Sequence, residues 1–500
     1  MSAHGNEYDL LIIGGGINGA GIAADASGRG LKVLLCEQND LASATSSNSS
    51  KLIHGGLRYL ENYQFRLVRE ALREREVLLK KAPHIMWPLS FRLPHQAHLR
   101  PSWMIRVGLF IYDHLAKRDT LPASKTIKFD SNSILNNSIT HGFEYADGWV
   151  DDARLVILNA QAAHNLGATI ATRTRCIKAT RNADYWDVIL EQQASKQHLN
   201  IKAKSVVNAA GPWVASLFED VFTQPTPHTI RLVKGSHIVV PRLHNEPVAY
   251  ILQNEDNRIV FVTPYEQDYS LIGTTDEEYT GDIADVKISE QEIQYLISIT
   301  NHYFKNTISA ADIVHSFSGV RPLLDDKSTD AQAVTRDYKL ILSNDTDHAP
   351  LLSVFGGKIT TYRKLAENAV NKLAPFYPKM SGSWTKDAPL PGGDFSNQTY
   401  LIAQLESSYP WLAIDTLKRM VRSYGTLSYQ LLGNSQAIGD LGYHFGHGLY
   451  AQEVDYLVNH EWARASADIL WRRTKLGLRF TEKQVIALGQ YLTKHPACHS

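Results

Sequence analysis

Cysteine is scarce in this 500-residue chain: Cys36, Cys176 and Cys498 are its three, and their spacing suits neither a metal nor a redox pair. That excludes a disulfide framework and a cysteine-built metal centre, and the three read as free thiols in a reducing compartment. Neither sign of charge is in excess, since 51 Lys+Arg balance 51 Asp+Glu. No global field therefore draws the chain to nucleic acid or to an anionic surface, although local patches stay open. Long apolar runs are missing as well. None approaches the roughly 20 residues of a membrane span, and the residues before Tyr8 read as a short polar tail, not a secretory signal. These absences leave a cytosolic, enzyme-sized protein of two or three domains with no metal site. Surface attachment to a membrane remains open.

What is present begins with "YDLLIIGGGINGAGIAADASGRGLKVLLCEQ". Tyr8 to Ile13 is apolar and branched, as a buried parallel strand should be. Gly14, Gly16 and Gly19 follow at GxGxxG spacing: a tight turn, a close approach for phosphate, and helix packed on strand. A helix from Asn18 to about Ser27 then aims its amides and dipole at an anion. Leu31 to Cys36 makes a second strand, and Glu37 at its end is placed to accept from both hydroxyls of an adenosine ribose. That carboxylate would repel the 2′-phosphate of NADP. Between NAD and FAD, the next segment decides. "SATSSNSSKLIHGGLRYLE" is dense in small hydroxyls and glycines, with two cations and a tyrosine. Such a loop suits a cofactor whose ribityl chain and flavin extend past the pyrophosphate, so the reading is FAD.

Further along, "LVREALREREVLLKK" (67–81) has the spacing of a surface helix. "RPSWMIRVGLFIYDHLAKR" (100–118) carries a broad apolar face, Trp103, Met104, Val107, Phe110, Ile111 and Leu115, flanked by cations. As a helix it is either a core element with snorkelling cations or one that lies in a membrane interface. "DGWVDDARLVILNAQAAHNLGATI" gives a turn, a helix and a strand, and the strand ending at Asn208 runs into a small-residue turn at Ala210-Gly211. Pro212 then starts a helix. The nucleotide-binding unit thus resumes after an insertion of about a hundred residues. Residues 229–275 are strand-like throughout, which predicts an antiparallel sheet in a second domain. "LLSVFGGKITTYRKLAENAVNKLAP" is strand, glycine turn and helix again. "DAPLPGGDF" (387–395) is a linker, and the rest is largely helical.

Four of these stretches, "GGGINGAGIA", "SSKLIHGGLRYLE", "KGSHIVVP" and "SGVRPLL…FGGKITTYRKLAE", resemble the FAD-dependent, quinone-linked glycerol-3-phosphate dehydrogenases. The 100–118 segment and "ADILWRRTKLGL" fit the same family, so the resemblance spans the chain. It implies an α/β architecture: a discontinuous, Rossmann-like FAD domain of glutathione-reductase type (1–80, 145–225, 318–388). A substrate-binding, membrane-contacting part with an antiparallel sheet would occupy 81–144 and 226–317, and a helical C-terminal cap 389–500. It also implies glycerol 3-phosphate as substrate, ubiquinone or another membrane quinone as acceptor, peripheral attachment to the cytoplasmic face of the inner membrane, and a homodimer.

Residue by residue, the resemblance places FAD against Gly14, Gly16, Asn18, Gly19 and Glu37. It adds Ser46, Ser47, Lys51, Leu52, His54 and Gly55 from the serine loop, then Ala210, Gly211, Gly357, Lys358 and Thr360. The substrate phosphate is a dianion and needs fixed cations, preferably a forked guanidinium. Arg321 is the expected fork, with Lys358, Arg58, Tyr59 and Thr274 beside it. Oxidising a secondary alcohol also needs a base for the hydroxyl proton. His237 is the preferred base, and His54 is placed at the flavin. Two alternatives stay open. An amine oxidase on the same folds would need a carboxylate clamp without extra phosphate cations. A non-catalytic FAD-binding module would lack a coherent cation set.

Overall fold

In the computed structural model, the described residues are 6–498 except 62, 257, 325–336 and 344–347; the Arg58 side chain also lies outside them. Two sheets organise the first four-fifths of the chain. The first has the order Lys339–Ser343, Leu351–Phe355, His198–Asn208, Glu7–Ile13, Val33–Cys36, Thr169–Ala171. All but Lys339–Ser343 run parallel. The helix Ile17–Gly28 makes the first crossover and packs with Asp152–Asn165 and Tyr362–Leu373 on one face. The other face buries Trp186, Phe218, Phe222 and Phe355 beneath an antiparallel meander, Thr174–Arg181, Trp186–Gln192 and His198–Asn208. Both faces are covered, which is why these strands read as continuous apolar runs. Their carboxyl ends, Ile13, Cys36, Asn208 and Phe355, gather at one edge, where an open parallel sheet receives its ligand.

The second sheet has ten strands among the described residues. Ile230–Pro241 lies between His315–Leu324 and Tyr269–Gly273. The capping-box helix Glu290–Tyr303 packs on one face, and Phe65–Lys81 and Ser102–His114 cover the other. Met86–Pro94 and His141–Val150, paired over nine positions, also belong here. His141–Val150 crosses the expected boundary at 144/145, and its pairing keeps it whole within this sheet. The turn expected at "DGWV" is the end of that strand. Pro212 starts a single 3₁₀ turn, Gly211–Trp213, ahead of the five-residue helix Ser216–Asp220. From Gln398 onward, helices enclose a separate core around Leu405, Met420, Leu457 and Ile469, with one short hairpin at His444–Tyr450.

His84 sits buried beside the linker's Gly392 and the turn at Gly425, where a side chain on Gly425 would crowd its ring. Burial, and then the nearby Arg154, depress its pKa from 6.5 to about 3. The unfolded chain therefore takes up a proton near pH 6.5 that the fold refuses until about pH 3. Its contribution is complete above 6.5 and is lost as pH falls toward 3. His84→Leu should flatten the acid limb of a stability-versus-pH curve by up to about 1.4 kcal/mol per pH unit. Denaturant titrations at pH 4 to 7 check this, and parallel limbs for the two proteins would count against it.

Candidate active site

The glycine turn is built for an anion. A Cβ on Gly19 would lie 1.9 Å from the Gly14 carbonyl oxygen, so helix and strand meet this closely through glycine alone. The Ile17–Gly28 helix has no side-chain cap bond and no acidic residue in its first turn. Its positive end is thus left for a ligand, with Ser46 Oγ accepting from Ile17 N at 3.0 Å. Asn18 Oδ1 is buried without a partner among the described residues, while its Nδ2 donates to the Gly356 carbonyl at 3.2 Å. Asn18 thereby joins the first glycine turn to Gly356-Gly357. Glu37 accepts from Gly15 N at 2.7 Å and Asn39 N at 2.8 Å, and burial raises its pKa. An uncapped helix end, an orphaned amide oxygen and a carboxylate at the second strand's end suit a dinucleotide such as FAD.

The serine loop behaves differently from its sequence reading. Lys51 turns inward: Nζ lies 2.8 Å from Asp152 Oδ1 and 3.1 Å from the Ser47 carbonyl, and the side chain is 3% exposed. Asp152 also accepts from Ser49 Oγ at 2.7 Å. The Lys51 charge is thus matched within the protein by Asp152. Leu52 is buried in the second sheet opposite Trp149. Gly55 N donates to the Tyr112 hydroxyl oxygen at 2.9 Å, and that hydroxyl donates to Asp147, the buried partner of Arg75. Thr360 Oγ1 reaches the His54 carbonyl at 3.5 Å. Ala210 N donates to Asn208 Oδ1 at 3.3 Å, which sets the turn that runs on into Gly211.

Between the second sheet and the Ser102–His114 helix opens a cavity of about 980 Å³. Ser50, His54, Tyr59, Thr274, Asp276 and Arg321 line its inner part. Arg321 ion-pairs with Asp276. Gly235 makes this corner possible, because a Cβ there would sit 2.3 Å from Thr274 Oγ1 and 3.0 Å from an Arg321 nitrogen. Lys358 Nζ lies 3.8 Å above the Tyr59 ring. The buried Glu292 fixes this wall from behind, accepting from Thr275 Oγ1 at 2.7 Å and Ser236 Oγ at 2.8 Å and pairing with Lys234 at 2.8 Å. His237 Nε2 is 3.0 Å from Ser50 Oγ, and its ring stacks on Phe317. Burial, then Lys51 and Arg321, hold its pKa at about 3. The structure thus gathers Arg321, Thr274, Tyr59 and His54 on one cavity, with Lys358 and His237 just behind it. Asp276 and Glu292 were not foreseen, although Asp276 closes the "GTTD" that supplied Thr274.

The FAD dependent oxidoreductase family matches residues 9–363, and the C-terminal domain of alpha-glycerophosphate oxidase matches 383–491. A glycerol-3-phosphate dehydrogenase of Pseudomonas aeruginosa is 57% identical over 98% of this chain and 96% of its own. The chain belongs to the FAD-dependent glycerol-3-phosphate dehydrogenase family. A D-erythritol 1-phosphate dehydrogenase of Brucella abortus is 50% identical over 97% of each chain. Among solved structures, the glycerol-3-phosphate dehydrogenase of Bacillus halodurans complexed with FAD matches 97% of this chain and 94% of its own. Its TM-score is 0.72 at 25% identity. FAD is the cofactor, and the fold is the family's α/β FAD-binding architecture with mixed sheets and a helical C-terminal domain. Among the described residues, no helix is long and apolar enough to cross a membrane.

Proposed function

We propose that this protein oxidises sn-glycerol 3-phosphate to dihydroxyacetone phosphate and passes the two electrons to a membrane quinone, as respiratory input from glycerol catabolism. The observation that carries the reading is the cation set: Arg321 with Thr274 and Tyr59 on one cavity, and Lys358 against Tyr59. An amine substrate would need no such set. FAD, when bound, accepts the hydride that leaves the alcohol carbon. Arg321 exchanges Asp276 for the phosphate, a better-matched dianion for its fork. The pair is only half-buried at the cavity wall, so the exchange needs no rearrangement of the core. His237 is neutral at neutral pH but weakly basic, so it takes the substrate proton only as hydride departure makes that proton acidic, and Ser50 stands between its Nε2 and the cavity. The substrate hydroxyl passes its proton to Ser50, and Ser50 passes its own to His237. The phosphate charge on Arg321 offsets one of the two cations that, after burial, depress His237. The deciding experiment is anaerobic mixing of purified holoprotein with sn-glycerol 3-phosphate while following flavin bleaching. D-erythritol 1-phosphate and D-amino acids serve as comparators. Bleaching by the amino acids and not by glycerol 3-phosphate would overturn the reading, and faster bleaching by D-erythritol 1-phosphate would reassign the substrate.

The acceptor reading places the protein, as a homodimer, on the cytoplasmic face of the inner membrane. The Ser102–His114 helix supports it. Trp103 is 67% and Phe110 57% exposed, with Met104 and Val107 between them, while Leu109 and Tyr112 anchor the opposite face. The apolar face thus points away from the core. At the helix's C-terminal end, Arg69, Arg73, Lys117 and Arg118 line a basic cleft of about 660 Å³ suited to anionic headgroups. Replacing both Trp103 and Phe110 by serine should weaken binding to anionic vesicles by about tenfold or more, since each buried aromatic contributes about 1.5–3 kcal/mol. Co-sedimentation reads this directly, and unchanged binding would remove the helix from the contact.

A further inference from the structure

The C-terminal domain reaches into the cofactor site at a point that the oxidation chemistry does not use. Asp40 lies in the loop that leaves Glu37 and is almost fully buried. Arg473 donates to both of its oxygens, one bond being 2.9 Å, and Arg472 Nε donates at 2.6 Å. Both arginines lie on the π-helical turn Asp468–Arg473, more than 400 positions away in sequence. The same turn is tied back to the first domain through Asp468, which takes Arg173 at 2.6 Å and Arg472 at 2.5 Å. Two residues past Asp40, Ala42 N donates to the Gly15 carbonyl at 3.1 Å. Leu41 packs where a Gly15 side chain would stand. The loop held by the two arginines is therefore also the wall of the glycine turn and the carrier of the ribose-facing carboxylate. A second arm runs parallel to it. Lys475 pairs with buried Asp151, whose neighbour Asp152 holds Lys51 and Ser49 of the serine loop.

We propose that the segment from Glu461, whose carbonyl accepts from Arg473 and whose carboxylate pairs with Arg154, to Lys475 is a positioning clamp for FAD, with Arg472 and Arg473 as positioning residues that act through Asp40. Between the second strand and the second sheet the cofactor loops have only the 3₁₀ turn Thr45–Ser47 as a regular element of their own. The C-terminal domain supplies another. Coupling between two such sites is reciprocal: whatever the clamp does for FAD binding, FAD does for the order of the clamp. The inference rests on the cofactor alone and holds whichever alcohol is oxidised.

The test uses full-length apoprotein titrated with FAD, read by flavin fluorescence quenching. Arg472→Gln and Asp40→Asn should each raise the FAD dissociation constant by about tenfold or more, within the usual range for coupled sites. Arg419→Gln breaks an ion pair with Glu453 inside the C-terminal domain and serves as the control. It should leave FAD affinity within about twofold, as for a distant independent site. Unchanged affinity in both clamp variants would overturn the proposal, and so would an equal loss in Arg419→Gln. Hydrogen exchange on the unaltered protein gives an answer even if a variant fails to fold. Adding FAD should slow exchange across residues 461–475 as well as around Gly14 to Ser47. Protection confined to the cofactor loops would also overturn it.

Discussion

Arg321→Ala is expected to lower kcat/KM for sn-glycerol 3-phosphate by about 30-fold or more. Losing one member of a desolvated charge pair commonly costs about 2–5 kcal/mol. The guanidinium lies on the cavity wall beside Thr274, where Gly235 leaves it room. Arg321→Lys should recover only part of the loss, because an ammonium is a point charge without a fork. The variant also takes the Arg321 guanidinium from Asp276, whose carboxylate then faces an incoming dianion. Part of the loss is then repulsion, and Arg321→Ala combined with Asp276→Asn should regain some efficiency. Unphosphorylated glycerol separates the causes. The unaltered protein should oxidise it very poorly, and Arg321→Ala should not make it much worse. Equal losses on glycerol and on glycerol 3-phosphate would mean that Arg321 supports the fold or the flavin instead.

The local part of this structure was legible in the sequence, and the reason is distance along the chain. Gly14, Gly16, Gly19 and Glu37 lie within one βαβ unit, so spacing alone fixes their relation. The strand character of residues 229–275 was equally plain, since it follows from alternation over a few residues. The ion pairs were not legible. Lys51 meets Asp152 across 101 positions, and Asp40 meets Arg473 across 433. Nothing local distinguishes such a lysine from one that reaches a phosphate. The apolar stripe of the 100–118 segment was seen, but its direction was not. Periodicity shows that a helix has two faces. Which face the protein covers depends on Leu109 and Tyr112 meeting the second sheet's core. The ladder between Met86–Pro94 and His141–Val150 was missed for a related reason: its strands flank an inserted helix and pair over a long gap.

Lys51→Met should therefore act on stability first and on the cofactor second. The ammonium is buried with Asp152, and both side chains are at most 3% exposed. Removing the lysine charge leaves a carboxylate in the interior with Ser49 as its remaining side-chain partner, which typically costs about 3–5 kcal/mol. Chemical denaturation of the apoprotein should show that loss with no FAD present. Had Lys51 served the pyrophosphate directly, the apoprotein would be as stable as before and only FAD affinity would fall. A second substitution separates these cases further. Lys51→Met with Asp152→Asn removes both charges, and an amide keeps the length needed to receive Ser49 Oγ. The double variant should recover most of the lost stability, since a neutral pair has no buried charge to strand. FAD affinity should recover with it, because the loop that presents Ser46 to the helix end regains its shape. A double variant that is stable yet still unable to hold FAD would return Lys51 to the cofactor as a direct ligand.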